Sequence, residues 1–374
     1  MIRFVRTAVF AGVFAVMICG GPSCMPDHEP VFTQEGLLEA RAEHLKRTVI
    51  TPHLETRLDA GRNVLWCGTF QLAWNECCTL IDEDVHFETD PPMVAVLNKK
   101  VFTRKDLDDS SYVALAGFVG KGIHQRIRTE LRKKFKGRAR PKYLPSGILT
   151  PRPQDIAAYA YLFKELQFAT PFERLDEPIV FDGVKLPCFG MEGFKFEHVA
   201  MYPQVGILDY RDADDFVIEL KTKSKGDRLI LAKIRPQPTL RRTIDGLDRR
   251  IAAGTRTEMT PGDVLKVPKL NLDLTRSYHE LLGRRLVVKN PKIAKDLLVL
   301  QADQNIRFQM DEKGVRLRSE ASMSFGCGAA SPPPQPQHVM IFDKPFLILL
   351  RRTDAKMPYF ALWVHDPELL VHAD

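Results

Sequence analysis

No uncharged apolar run in this chain reaches the roughly 18 residues that a membrane-crossing helix needs, so a helical span is not expected. Cysteine is sparse. The 7 cysteines form no C-x-x-C pair and follow no regular spacing, which argues against both a zinc site and a disulfide framework. There is no G-x-S-x-G turn, no H-E-x-x-H pair, no G-x-x-x-x-G-K-[ST] phosphate loop and no G-x-G-x-x-G opening a helix. The 10 histidines are scattered. Asp212, Asp214 and Asp215 cluster, but in a turn-like stretch before a strand, where a solvated turn outweighs a metal site. No metal, no cofactor and no catalytic residue are therefore expected, and an enzyme becomes the less favoured class.

What is present suits a folded chain. The 374 residues allow one large domain or two to three smaller ones. At 44% hydrophobic and 27% charged, a substantial core forms and wholesale disorder is excluded. Lys+Arg exceeds Asp+Glu by 54 − 47 = 7, a mild excess. It permits contact with a polyanion without calling for a specific nucleic acid.

The N-terminus reads as an export signal over residues 1–23. Arg3 and Arg6 supply positive charge, the 14 residues from Ala8 to Gly21 are mostly apolar, and Gly20, Gly21 and Ser23 are small. The alternative is a buried helix, which Gly12, Gly20, Gly21 and Pro22 would weaken. The expected location is extracellular or periplasmic. Cys24 after Ser23 leaves lipid attachment open, although Gly21 and Pro22 do not match the usual residues before such a cysteine. Residues 24–34 read as a short linker and 35–374 as one domain. The remaining cysteines, Cys67, Cys77, Cys78, Cys188 and Cys327, read as buried thiols.

Periodicity predicts an amphipathic helix over Glu35–Arg47, with Leu38, Ala42, Leu45 and Val49 on one stripe. It predicts a long buried helix over Val64–Leu80 and a strand over Val94–Phe102. Ile123, Ile127, Leu131 and Phe135 recur every four residues, as in a helix. Lys121–Lys142 around them holds ten Lys or Arg against Glu130 alone. That segment offers a polyanion contact through Arg132, Lys133, Lys134, Lys136 and Arg138, or else a solvated basic face. Ile156–Phe168 suits a buried strand or a helix. Hairpins are expected at Phe216–Leu220 with Leu229–Ile234, and at Phe346–Leu350 with Tyr359–Val364. Leu270, Leu272 and Leu274 suggest a half-exposed strand. Gly326–His338, rich in Gly, Ala, Ser and Pro, reads as an exposed loop. The class is α+β, with N-terminal helices followed by mostly antiparallel strands.

Met340–Leu350 resembles the C-terminal signature of the serpin family, most distinctively in Phe342, Asp343, Lys344, Pro345 and Phe346. Upstream, Asp311-Glu312-Lys313-Gly314 resembles the family's hinge, Val267-Pro268-Lys269-Leu270 and Ser277–Gly283 a strand and the helix after it, and Val217–Leu220 with Ile230–Pro236 a hairpin. Phe163-Lys164 and Thr170-Pro171-Phe172 resemble the end of a central strand, and Asn63-Val64 the early core. The likeness spans about residues 35–370 and implies a strand at Ile156–Phe168. It implies a serpin-like α+β fold with a large, mostly antiparallel central sheet and an exposed reactive-centre-like loop near 315–338.

The resemblance further implies a monomeric serine protease inhibitor acting as a suicide substrate. Its hinge would comprise Glu312, Gly314, Val315, Leu317, Ser319 and Ala321, and its scissile region Cys327, Gly328, Ala329 and Ala330. Residues 315–323 alternate apolar or small with polar, as an inserting strand requires. No Arg or Lys lies between Glu320 and His338, so an elastase-like or subtilisin-like target is expected rather than a trypsin-like one. Cys67-Gly68-Thr69-Phe70, Ala160 and Phe168 depart from the family pattern. These departures keep a second reading in view: a non-inhibitory binding protein of the same fold, directed at a polyanion.

Overall fold

The computed structural model describes residues 34–138, 141–142, 152–193, 195–316 and 337–372. The chain opens with β1 (Leu38–Arg41), β2 (Thr48–Thr51) and β3 (Asn63–Cys67), then α1 (Thr69–Ile81) and α2 (Pro92–Leu97). β4 (Tyr112–Phe118) leads into α3 (Ile123–Phe135). β5 (Ile156–Leu162) and β6 (Leu166–Gln167) follow, then β7 (Glu173–Phe181) and β8 (Val184–Met191). β9 (Val205–Asp212), β10 (Asp215–Leu220) and β11 (Asp227–Lys233) precede α4 (Leu240–Ala253) and β12 (Thr257–Glu258). The last third holds β13 (Val264–Pro268), β14 (Leu270–Ser277), β15 (Asp303–Asp311), β16 (Gly314–Arg316), β17 (Val339–Ile341), β18 (Phe346–Arg352) and β19 (Phe360–Val364).

This is the expected α+β class, with most strand pairs antiparallel. The strands form an eight-stranded sheet (β12-β9-β10-β11-β18-β19-β3-β2), a five-stranded sheet (β1-β14-β15-β16-β6), a four-stranded sheet (β17-β13-β8-β7) and the pair β4-β5. The two expected hairpins are β10–β11 and β18–β19. Their apolar runs are buried on both faces: Leu229 to Leu231 and Phe346 to Leu349 are fully inaccessible. Such double burial marks strands at the middle of a molecule. α4 starts at Thr239, whose side chain accepts the Arg242 N–H at 3.2 Å, and buries Leu240, Ile244 and Leu247.

Three early expectations are corrected. Glu35–Arg47 is not a helix. Leu38 and Ala40 alternate with exposed Glu39 and Arg41, and β1 runs parallel to β14. The period-two pattern won because a neighbouring strand supplies ladder bonds that an isolated helix lacks. Val64–Leu80 is two elements: β3 ends at Cys67 and α1 begins at Thr69. Gly68 makes the break, because a Cβ there would overlap the Phe102 ring. Val94–Phe102 is not a strand. Its first residues belong to α2, started by Pro92 at the first helical position, where proline's fixed φ is favourable. The strand Leu270–Ser277 is also more buried than expected, since Asn271 and Thr275 are covered as well as the leucines.

α3 and Ile156–Leu162 form as expected. The odd residues of β5 (Ala157, Tyr159, Phe163 just beyond it) pack with Ile123, Ile127, Leu131 and Phe135 of α3. Ala160 and Leu162 turn to the main core, and Ile156 to a second cluster that includes Trp74 and Cys78 of α1. β4 and β5 are thus a two-stranded wall between α3 and α1.

Candidate functional site

The five-stranded sheet and the β4–β5 pair meet at one strand. β6 continues the course of β5, and its free edge pairs with β16. β16 in turn pairs with the last residues of β15: Asp311 with Gly314, Met310 with Val315, Gln309 with Arg316. β15 therefore has a neighbour on this side only at its end. Among the described residues, no strand pairs with Asp303–Phe308 on that side, and β5 pairs with β4 alone. A single strand wedged between β15 and β6 sets them about 9.6 Å apart, two strand spacings. This leaves an interstrand gap with β15 on one wall and β5 on the other. At its foot, the Gln304 amide of β15 donates 2.9 Å bonds to the Cys67 carbonyl and the Thr69 hydroxyl, and accepts from the Tyr278 hydroxyl at 2.7 Å. The Cys67 thiol is pushed up by burial.

The turn feeding β16 is tightly held. Asp311 accepts the Lys313 N–H at 2.9 Å and the Gln309 amide at 3.0 Å. The Glu312 carbonyl accepts the Phe172 N–H at 2.7 Å, and the Lys313 carbonyl accepts the Phe168 N–H at 3.0 Å. The Glu312 carboxylate meets Lys269 at 2.6 Å, with their side chains 19% and 11% exposed. Burial raises the Glu312 pKa, but the Lys269 ammonium overcomes that and holds the carboxyl below its ordinary range. Gly314 has φ +141°, and a Cβ there would overlap the Leu166 carbonyl oxygen. Only glycine meets both demands. Phe168 packs edge-on against Phe172, with centroids 4.8 Å apart. Val315 is buried.

The chain returns at Gln337 to an equally firm anchor. The Asp263 carboxylate, wholly buried, accepts the Gln337 N–H at 3.1 Å, the His338 N–H at 2.8 Å and the His338 ring Nδ1 at 3.1 Å. It also accepts the Thr260 N–H and hydroxyl, each at 2.9 Å. Burial raises this carboxyl's pKa, but the donors outweigh it and keep it below the ordinary value. β17 then runs parallel to β13.

Of the expected hinge residues, Glu312, Gly314 and Val315 come together here. Leu317, Ser319, Ala321 and the expected scissile residues Cys327, Gly328, Ala329 and Ala330 lie outside the described residues, as do residues 1–33.

The signature residues form a buried seam. Phe342 and Phe346 are inaccessible, 5.1 Å apart by centroid, and Phe342 meets Phe216 at 5.1 Å. Beneath them, Lys233 donates to Asp343 at 2.6 Å and to the carbonyls of Ala213 and Ile341. Lys344 reaches Asp214 at 2.5 Å. The Asp212–Asp215 cluster is thus a hairpin turn bound to lysines, and the described residues contain no metal-holding group of His, Cys, Asp and Glu.

The basic segment divides. Lys134 donates to the carbonyls of Asp109 at 2.5 Å and Tyr112 at 2.7 Å, and Arg138 lies over the Phe163 ring and near Glu165 at 3.6 Å. Both are consumed by the fold. Arg132, Lys133 and Lys136 are exposed, with no ion-pair partner among the described residues.

Sequence reasoning missed Lys269, Asp263 and Lys233. Each is a single charged residue whose partner lies far along the chain, 75 residues for Asp263 with His338 and 110 for Lys233 with Asp343.

No family model matches the chain, and no curated protein matches it. Among solved structures it is similar to thyroxine-binding globulin in complex with thyroxine: 15% identity, 82% of this chain, 93% of that one, TM-score 0.43. It is also similar to Serpin48, a highly specific serpin of the insect Tenebrio molitor: 15% identity, 82% of this chain, 92% of that one, TM-score 0.43.

Proposed function

We propose that this chain is an exported, serpin-type inhibitor of a serine protease that acts as a suicide substrate. One observation carries the reading: β16 sits between β15 and β6 as the first three residues of a strand with room to lengthen. Continuing its register pairs residues 317–322 with Phe308 back to Asp303. On the other side, residues 319–325 meet Leu162 back to Ile156. Leu317, Ser319 and Ala321 then turn inward like Val315, and Arg318, Glu320 and Ser322 outward, which matches the alternation in the sequence. About ten new ladder bonds at roughly 1 kcal/mol net each would release an amount comparable to the whole stability of a domain. Before cleavage the anchors at Gly314 and Asp263 keep the loop from running the length of the gap. A protease that cuts between them frees the first arm, and insertion carries the attached enzyme along. The protease supplies the catalytic serine.

The test is incubation with an elastase-like and a subtilisin-like protease. A covalent complex stable in SDS is expected, with little from a trypsin-like enzyme. Clean cleavage without a complex and without a rise in Tm would sink the reading. A second reading, a non-inhibitory binding protein for a polyanion, is favoured by the unpaired cations on the outward side of α3.

A further inference from the structure

Four residues per step set the geometry of α3. Ile123, Ile127, Leu131 and Phe135 are buried against β4 and β5, so the helix cannot roll. At 100° per residue this fixes what points outward: Gln125, Arg126, Arg128, Thr129, Arg132, Lys133 and Lys136, all exposed. Five of the seven are cations. Arg128, Arg132 and Lys136 form one row with about 6 Å between successive positions. Arg126 and Lys133 run along its flank. Among the described residues none of these five has an ion-pair partner, and Glu130, the helix's one acid, is half-buried toward the other side. Like charges one turn apart repel, so the row is a local cost that nothing in the helix offsets.

The same face has no aromatic and no apolar side chain. A nucleic acid strand would find no ring to stack on, and a peptide would find no apolar anchor. Only fixed anionic charge can be recognised here. We infer that the outward face of α3 docks a flexible linear polysaccharide bearing sulfate groups, held by Arg128, Arg132 and Lys136, with Arg126 and Lys133 beside them. Guanidinium groups pair with sulfate oxygens in the two-pronged manner they use with phosphate. The inference rests on the polyanion reading above but changes its residues: Lys134 and Arg138 drop out, and Arg126 and Arg128 enter.

The full chain is tested against heparin, dextran sulfate, the carboxylate polymer hyaluronate, polyphosphate and single-stranded DNA at several salt concentrations. Two variants are compared with the parent, each checked by thermal melting: Arg128→Gln/Arg132→Gln/Lys136→Gln, and the charge-matched Lys99→Gln/Lys223→Gln/Lys225→Gln, from exposed sites elsewhere. The row variant should lose at least 30-fold in heparin affinity and shed about two from the slope of log K against log salt. The matched variant should stay within about twofold. Equal losses in both, or none in the row variant, overturn the inference. Polyphosphate or DNA bound as tightly as heparin overturns the polysaccharide while leaving the polyanion reading standing. No binding to any polymer overturns both.

Discussion

Gly314 lies so close to Leu166 that a single added carbon would occupy the position of the Leu166 carbonyl oxygen. Its φ of +141° is foreign to other residues. The first residue of β16 is thus admitted between two strands because it has no side chain.

Gly314→Ala should therefore loosen the turn. A loss of about 2 kcal/mol in stability is expected. Hydrogen exchange at the Phe168 N–H, which donates to Lys313, should accelerate more than exchange in β18. Unchanged protection at Phe168 would show that β16 tolerates the clash.

The Glu312–Lys269 pair predicts a pH dependence. The Glu312 carboxyl is held below its ordinary value of 4.5 in the folded chain. The pair's stabilisation is thus fully present above about 4.5 and fades as pH falls through the lower folded value. Lys269→Met leaves a mostly buried carboxylate unpaired and should cost on the order of 3 kcal/mol at pH 7. In this variant the carboxyl loses its counter-charge and its pKa rises, so the deficit relative to the parent shrinks as pH falls toward 4. Denaturant unfolding at pH 7 and pH 4 checks the sign. An equal deficit at both would refute it.

Insertion in the register of β16 would bring Arg318 opposite Arg307 of β15. Like charges directly opposite across a ladder disfavour pairing, by up to about 1 kcal/mol. Arg318→Glu should raise Tm after loop cleavage more than it raises Tm in the intact chain. The difference between the two gains, read by calorimetry, should have the opposite sign if the inserted register is shifted by one residue.

Asp263→Asn exchanges an all-acceptor group for one that donates toward Thr260 and His338. With five donors converging on it, about 2–4 kcal/mol should be lost. Proteolysis near Gln337 should accelerate, and a variant as resistant as the parent would show that this anchor is dispensable.

The parts of the fold legible in sequence were those whose partners are close along the chain. β10–β11 and β18–β19 announce themselves by two apolar runs around a short polar turn. The stripe of α3 survives because one face of it is solvated. Leu38 to Val49 misled because a helical stripe and a short parallel strand share several positions, and β14, more than 200 residues away, decided between them. Val64–Cys67 misled because a strand buried on both faces has no alternation to read. At the site, Glu312 and Gly314 were legible through family likeness, whereas Lys269 and Asp263 carry no local sign of the buried charges and amides they serve.

Cys67, whose carbonyl takes a bond from Gln304 at the foot of the gap, gives the molecule its own gauge. Its thiol is covered and its ionisation suppressed, so reagents find it slowly. Any event that parts β15 from β5 should quicken its labelling, and a strand filling the space should all but stop it, so alkylation kinetics could follow the chain's state without an introduced probe.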